Sequence, residues 1–282
     1  KTLDPNALFL ANGSDEIIGP SYRIFCEPGK DKAICLGPTY GKYEVAAQIN
    51  NVTLIQVPLD AAFDIDLPAL EEYWERTDIK LMFLCSPNNP SGNILSEERI
   101  STILDRFKGI VIIDEAYIDF SGTLSRATQI GNYPKLVVVQ TLSKAWGMAA
   151  LRIGLAWMSP ELLQYYNKVK PPYNISAANQ QLALSILEQG NFEQEIKLLK
   201  TEQAWLSREL SAITQIKKVY PSSANFILLE VEDAPALYDQ LSAHKIVVRN
   251  RHGIIPNTLR ITVGSPGQNK QLIQTLKTIF HA

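Results

Sequence analysis

The sequence predicts an α/β protein: a large domain on a mostly parallel sheet flanked by helices, then a smaller α+β domain at the C-terminal end. Two observations predict it. Between residues 33 and 158, short apolar runs alternate with longer polar-periodic stretches, as strands alternate with crossover helices. The apolar runs also lack polar/apolar alternation, which suits strands buried on both faces. The runs are 33–36, 52–57, 81–85, 110–113, 136–140 and 153–157. Between them, residues 67–77 are expected to be helical. So is the stretch from Ser96, an N-cap, to about Phe107, with Ile100, Ile103, Leu104 and Phe107 on one face. After about residue 160 the pattern changes. Residues 177–213 read as mostly helical, with a break at Gly190-Asn191, because Ile196, Leu199, Leu206, Leu210 and Ile213 fall near one helical face. Strands at 226–231, 246–249 and 259–263 follow, with helices near 235–244 and 268–280. A boundary near residue 188 is expected, dividing the chain into 1–188 and 189–282.

Composition excludes several function classes. The 282 residues are 46% hydrophobic and 20% charged, which argues against a disordered or collagen-like chain. Lys plus Arg is 27 and Asp plus Glu is 29, a formal charge of −2, so no basic excess points to nucleic acid or an anionic membrane. No apolar run approaches the ~20 residues that span a bilayer. Cys26, Cys35 and Cys85 are too scattered for a disulfide frame or zinc site and read as buried free thiols in a cytoplasmic protein. His244, His252 and His281 lack ligand spacing, so no metal site is expected. The chain opens at Lys1 without an initiator Met or a signal-peptide pattern, and a preceding N-terminal piece is expected.

Five segments carry candidate chemistry. Thr141-Leu142-Ser143-Lys144 follows a buried strand, and Arg152 comes eight residues after the lysine. Strand C-termini face the ligand crevice in open α/β sheets, where a desolvated lysine becomes nucleophilic and an arginine fork suits phosphate. The plainer alternative is a surface lysine after a helix N-cap. Asp114-Glu115-Ala116-Tyr117 ends another strand, and a buried Asp114 calls for a cation, catalytic or merely structural. Ser86–Gly92 is a rigid proline-rich loop holding Asn89, or simply a turn. Pro38-Thr39-Tyr40-Gly41 presents an aromatic ring, for a ligand or for packing. Asn12–Glu16, with Ser14 and Asp15, is a glycine turn into a helix whose free N–H groups bind an anion or are plainly capped. Converging at one sheet edge, these groups match the needs of pyridoxal 5′-phosphate: an amine, a counter-charge, a stacking ring, donors and a phosphate cup.

On these motifs the chain resembles the fold-type I pyridoxal-phosphate aminotransferases, and within them it is most similar to the histidinol-phosphate aminotransferases. The resemblance spans essentially all 282 residues and continues through Ala224-Asn225-Phe226, Val247-Val248-Arg249 and Leu259-Arg260-Ile261-Thr262-Val263-Gly264. It implies that Lys144 forms the Schiff base and moves protons, that Asp114 pairs with the ring nitrogen, and that Tyr117 and Asn89 hydrogen-bond the ring oxygen. It implies that Tyr40 stacks on the ring. Ser14, Asp15, Thr141, Ser143 and Arg152 would hold the phosphate, and Arg249 and Arg260 would bind substrate anions. The implied reaction converts histidinol phosphate and 2-oxoglutarate to imidazole acetol phosphate and glutamate, in a homodimer with small-molecule substrates and no nucleic acid or membrane partner. The alternatives are an aromatic amino-acid aminotransferase, a phospho-amino-acid decarboxylase of the same fold, or a non-catalytic cofactor-binding module. Members of the family also carry an Asn-Glu-Asn-Pro-Tyr-Gly type segment and a tyrosine that reaches the partner's site, neither of which occurs in this sequence.

Overall fold

The computed structural model describes residues 3–281. Seven strands form the larger sheet in the order β1-β7-β6-β5-β4-β2-β3. They are β1 (Leu8–Asn12), β2 (Lys32–Gly37), β3 (Thr53–Pro58), β4 (Ile79–Cys85), β5 (Ile110–Asp114), β6 (Leu136–Thr141) and β7 (Ile153–Met158). The neighbours from β3 to β6 pair in parallel, whereas β7 runs antiparallel to both β6 and β1. All six apolar runs are therefore strands, and the sheet is parallel except at β7. The edge strand β1 was not anticipated as a strand; its alternating burial, with Phe9 and Ala11 inward, is a weak signal over five residues.

Strand geometry explains the unbroken apolar runs. Successive side chains point to opposite faces, and here both faces are covered. Cys35, Phe83, Ile112 and Val139 enter one layer with α1 (Asp15–Phe25), α2 (Lys42–Ile49) and a later helix carrying Leu162 and Tyr166. Leu36, Leu84, Ile113 and Val138 enter the other with Ile100 and Ile103 of α3 (Glu97–Arg106). Ser96 caps α3 by accepting from the Arg99 N–H, and Glu97 and Glu98 complement its N-terminal dipole. The helix expected at 67–77 is instead a 3-10 turn, Pro68–Tyr73. Its Leu70 N–H bonds Leu67 C=O three residues back, the tighter 3-10 pattern.

Beyond β5 come α4 (Ile118–Ser121), α5 (Pro160–Val169), α6 (Ala177–Gln189) and α7 (Phe192–Ser211), with the helical break at Gly190-Asn191. An antiparallel sheet of order β10-β11-β9-β8 follows, from β8 (Ile216–Val219), β9 (Phe226–Val231), β10 (Arg249–Asn250) and β11 (Thr258–Thr262). It packs on α7, α8 (Ala234–Ala243) and α9 (Pro266–Phe280) through its own core, which includes Leu206, Leu229, Leu241, Ile261 and Ile273. The strand expected at 246–249 meets the observed β10 only at Arg249, and residues 246–248 are not strand. The other predicted strands and helices occur within a few residues, and β8, α2, α4 and α5 join β1 as elements the sequence analysis did not anticipate. A smaller cluster, Tyr117, Phe120 and Ala145 with Ala224 and Phe226, joins the two sheets beside the strand ends of the first.

Candidate active site

Parallel pairing brings the C-terminal ends of β2, β4, β5 and β6 to one edge, the antiparallel β7 between β6 and β1 sends the end of β1 there too, and together they line a cavity of about 290 Å³. Because β7 is antiparallel, its start lies at the same edge, which brings Arg152 in beside Thr141. The cavity lining includes Ser14 and Asp15 after β1, Tyr40 after β2, Asn89 after β4, and Asp114 and Tyr117 at and after β5. Thr141, Ser143, Lys144 and Arg152 complete that edge, and the smaller sheet contributes Arg249 and Arg260. The cavity thus brings together the twelve residues assigned site roles from the sequence. It adds Cys85, Ala116 and Arg251.

Asp114 sits at the cavity floor, 3% exposed. Its Oδ2 accepts from the Tyr43 hydroxyl at 3.0 Å and its Oδ1 from the Ala116 N–H at 3.0 Å. Among the described residues it has no ion-pair partner within 4.0 Å. Burial pushes its carboxyl above the usual carboxylate range, with the two hydrogen bonds and the Lys144 charge pulling the other way. Tyr43 is fully buried, stacked on Phe83 with ring centroids 4.8 Å apart, which fixes its hydroxyl. Sequence reasoning missed Tyr43, because nothing local distinguishes it from a core aromatic on α2.

The neighbouring Glu115 points to the other side of the strand. It is held by the Ser125 hydroxyl at 2.5 Å, the Arg126 N–H at 2.7 Å and the Gln140 amide at 2.9 Å. Of the acidic pair, only Asp114 therefore faces the cavity, and Glu115 locks the loop after β5.

Lys144 extends into the open part of the cavity, its Nζ 5.4 Å from the centre of the Tyr117 ring. The cavity walls, and then the Arg260 charge, push its amine below the ordinary lysine value, which favours the neutral nucleophile. The loop carrying it is closed by a Met148 N–H to Leu142 C=O bond of 3.0 Å and tethered by Trp146 Nε1 to Asp119 at 3.2 Å. Tyr40 lies half-buried on the wall, its hydroxyl pushed up to about 12 by burial and by the Asp15 and Asp114 charges.

At one end the cavity offers donors for an anion. Ser14 and Asp15 open α1, where the first N–H groups have no acceptor within the helix. The Ser143 N–H bonds Thr141 Oγ1 at 3.1 Å, and the two hydroxyl oxygens lie 2.9 Å apart. Gly13 has φ +77°, and a Cβ there would collide with the Arg152 guanidinium, so the arginine packs flat on bare backbone. At the other end, Arg260 gives one N–H to Asn89 Oδ1 at 2.6 Å and lies 4.7 Å from the centre of the Phe226 ring. That bond ties the smaller sheet to the loop after β4 and leaves the Asn89 amide N–H groups to donate into the cavity.

The family described as aminotransferase class I and II matches residues 1–276. The histidinol-phosphate aminotransferase of Cytophaga hutchinsonii is 46% identical over 282 residues, covering 99% of this chain and 80% of that protein. That of Parabacteroides distasonis is 45% identical over 282 residues, covering 99% and 81%. Among solved structures, the histidinol-phosphate aminotransferase from Clostridium acetobutylicum superimposes with a TM-score of 0.90 at 27% identity, covering 98% of this chain and 84% of that one. The Sinorhizobium meliloti histidinol-phosphate aminotransferase, solved in complex with pyridoxal-5′-phosphate, shares the fold at a TM-score of 0.88 and 22% identity, over 99% and 78%. With its fold and its sequence over nearly its whole length in common with these proteins, the chain belongs to the aminotransferase class I and II family.

Proposed function

We propose that this chain is a pyridoxal-phosphate-dependent aminotransferase that moves the amino group of histidinol phosphate to 2-oxoglutarate, a step of histidine biosynthesis. One observation carries the reading. A nucleophilic lysine, a buried unpaired carboxylate and two separate anion-binding ends share one cavity in a chain 46% identical to a histidinol-phosphate aminotransferase.

The residues present fit the cofactor. Among the described residues the buried Asp114 has no cation within 4.0 Å, and a protonated ring nitrogen would be a fitting partner. The bare backbone at Gly13 beside Arg152, with the free N–H groups at the start of α1, suits the phosphate. When bound, pyridoxal phosphate supplies an aldehyde that joins amines and a ring that withdraws electrons from the substrate α-carbon. Lys144 would offer the amine that holds the aldehyde, and its Nζ would be the group that carries the proton at the substrate α-carbon. Asp114 would hold the proton on the ring nitrogen. Tyr40 would cover one ring face, and Asn89 and Tyr117 would donate to the ring oxygen. Ser14, Asp15, Thr141, Ser143 and Arg152 hold the phosphate. Arg249 and Arg260 bind the anionic groups of the two substrates, since a guanidinium fork takes carboxylate or phosphate.

We propose further that the chain divides near residue 188 into a cofactor-binding unit and a C-terminal unit, and that it works as a cytoplasmic homodimer. Tyr173, Leu182 and Leu184 are exposed apolar side chains that suit burial against a second copy. Among the described residues no helix is long and apolar enough to cross a membrane. The substrates are small molecules, and no nucleic-acid or membrane partner enters the reaction. The purified chain with cofactor, histidinol phosphate and 2-oxoglutarate should form glutamate in step with loss of amine. Carbon dioxide release from a phospho-amino acid without any 2-oxo acid would instead identify a decarboxylase. A preference for aromatic amino acids would remove the histidine-pathway assignment.

A further inference from the structure

Arg249 and Arg260 stand directly opposite each other in the β10–β11 pair. Two residues on, the Arg251 N–H bonds Thr258 C=O at 2.9 Å and continues that ladder. Strand alternation then sets Arg249 and Arg251 on the same face as Arg260, one opposite it and one diagonal to it. All three line the cavity. Like charges opposed across strands are destabilising, and among the described residues none of the three has a carboxylate within 4.0 Å. The Nε atoms of Arg251 and Arg260 are buried with no hydrogen-bond partner. The cavity as a whole is lined by five cationic side chains against two carboxylates. Burial, reinforced for Arg251 by the neighbouring Arg249 charge, weakens the hold of both groups on their protons. A cluster of this kind lacks one thing, an anion with enough charge and enough acceptor oxygens to engage three forks.

We propose that Arg251 is the third anion-binding arm of this site and sets its preference for a doubly charged phosphate over a singly charged carboxylate. A carboxylate has two oxygens and is satisfied by one bidentate fork. Arg260, although it gives one N–H to Asn89, suffices for that together with Arg249. A phosphate monoester presents three free oxygens and up to two charges, which engage the remaining guanidinium. The assignment rests on the reading of the substrate as a phosphate-bearing amine, and it deepens that reading by naming the residue that selects the phosphate.

The test uses the cofactor-loaded enzyme, so that the cup at Arg152 is already filled. Inorganic phosphate and acetate are titrated separately by calorimetry into the unmodified protein, Arg251→Gln and Arg251→Lys. Arg251→Gln should weaken phosphate by about ten- to a hundredfold and acetate by less than about threefold. Arg251→Lys keeps the charge without the fork and should fall between them. Circular dichroism and cofactor absorbance report folding, and the lysine variant preserves the comparison if the glutamine variant is unstable. Unchanged phosphate affinity in Arg251→Gln overturns the proposal, and equal losses for phosphate and acetate overturn the selectivity. Turnover of histidinol phosphate by the unmodified enzyme is measured alongside. Arg251-dependent phosphate binding without that turnover would remove the substrate assignment and leave the phosphate-selecting arm standing. Turnover with Arg251-independent phosphate binding would remove only the arm.

Discussion

Replacing Asp114 by Asn separates what its charge does from what its shape does. The amide is isosteric and keeps an oxygen for the Tyr43 hydroxyl or the Ala116 N–H, each now 3.0 Å from the carboxylate. It removes the counter-charge for a protonated ring nitrogen. Losing a charge-assisted contact in a site shielded from water costs about 3 kcal/mol or more, which is on the order of a hundredfold in the chemical step. Single-turnover absorbance of the cofactor after mixing with the amino donor reads this directly. Stability of the cofactor-free chain should move the other way. Burial raises the folded-state carboxyl above its unfolded value, so the native state binds the extra proton. The stability this contributes is present below the unfolded value near 4 and is lost as pH rises through the raised folded value. Asp114→Asn removes the titrating group and so abolishes that slope. Its cofactor-free form should therefore melt higher than the unmodified protein at pH 7 and show a flatter pH dependence. Turnover within about tenfold of unmodified would show that the chemical step does not need the carboxylate, and an unchanged pH dependence of melting would refute the linkage argument from its burial.

Borohydride reduction of the cofactor-loaded protein followed by peptide mapping should place the label on Lys144, and a label on another lysine would refute the assignment. Arg260→Gln removes a cation that lowers the Lys144 amine, so the pH profile of cofactor capture, followed by absorbance without substrate, should shift to higher pH; an unshifted profile would show that the two charges do not couple. A Cβ at Gly154 would lie 2.5 Å from the Gly13 carbonyl carbon, 2.7 Å from its oxygen and 2.8 Å from the Ser14 nitrogen, all backbone. Gly154→Ala should therefore displace the turn after β1, costing about 1–3 kcal/mol of stability by overpacking and about tenfold or more in cofactor affinity; equilibrium dialysis showing unmodified affinity would mean the turn does not bear on the phosphate.

Most of the larger sheet was legible because its strands are buried on both faces and so read as unbroken apolar runs, with turn residues marking each end. The residues after those runs could be proposed as one site from sequence, since parallel pairing sends every strand end to the same edge. The sequence also carried a signal for Arg251, two positions from Arg249 and hence on the same face of a strand, but β10 is so short that its register had to come from its partner β11. Other features belong to tertiary structure alone. The reversal of β7 leaves no mark in Ile153–Met158, whose apolar character suits either direction, yet it is what carries Arg152 to the cavity. The stretch 67–77 reads as helix by pattern, yet within it only Pro68–Tyr73 coils, as a 3-10 turn. Tyr43 is a buried aromatic by pattern, and only the packing of α2 against the sheet turns its hydroxyl onto Asp114, 71 positions away in the chain. Local sequence determines which residues are strand, helix and turn; the direction of β7, the register of β10 and the hydrogen bond to Asp114 depend on contacts between segments far apart in sequence, whose energies no local pattern contains.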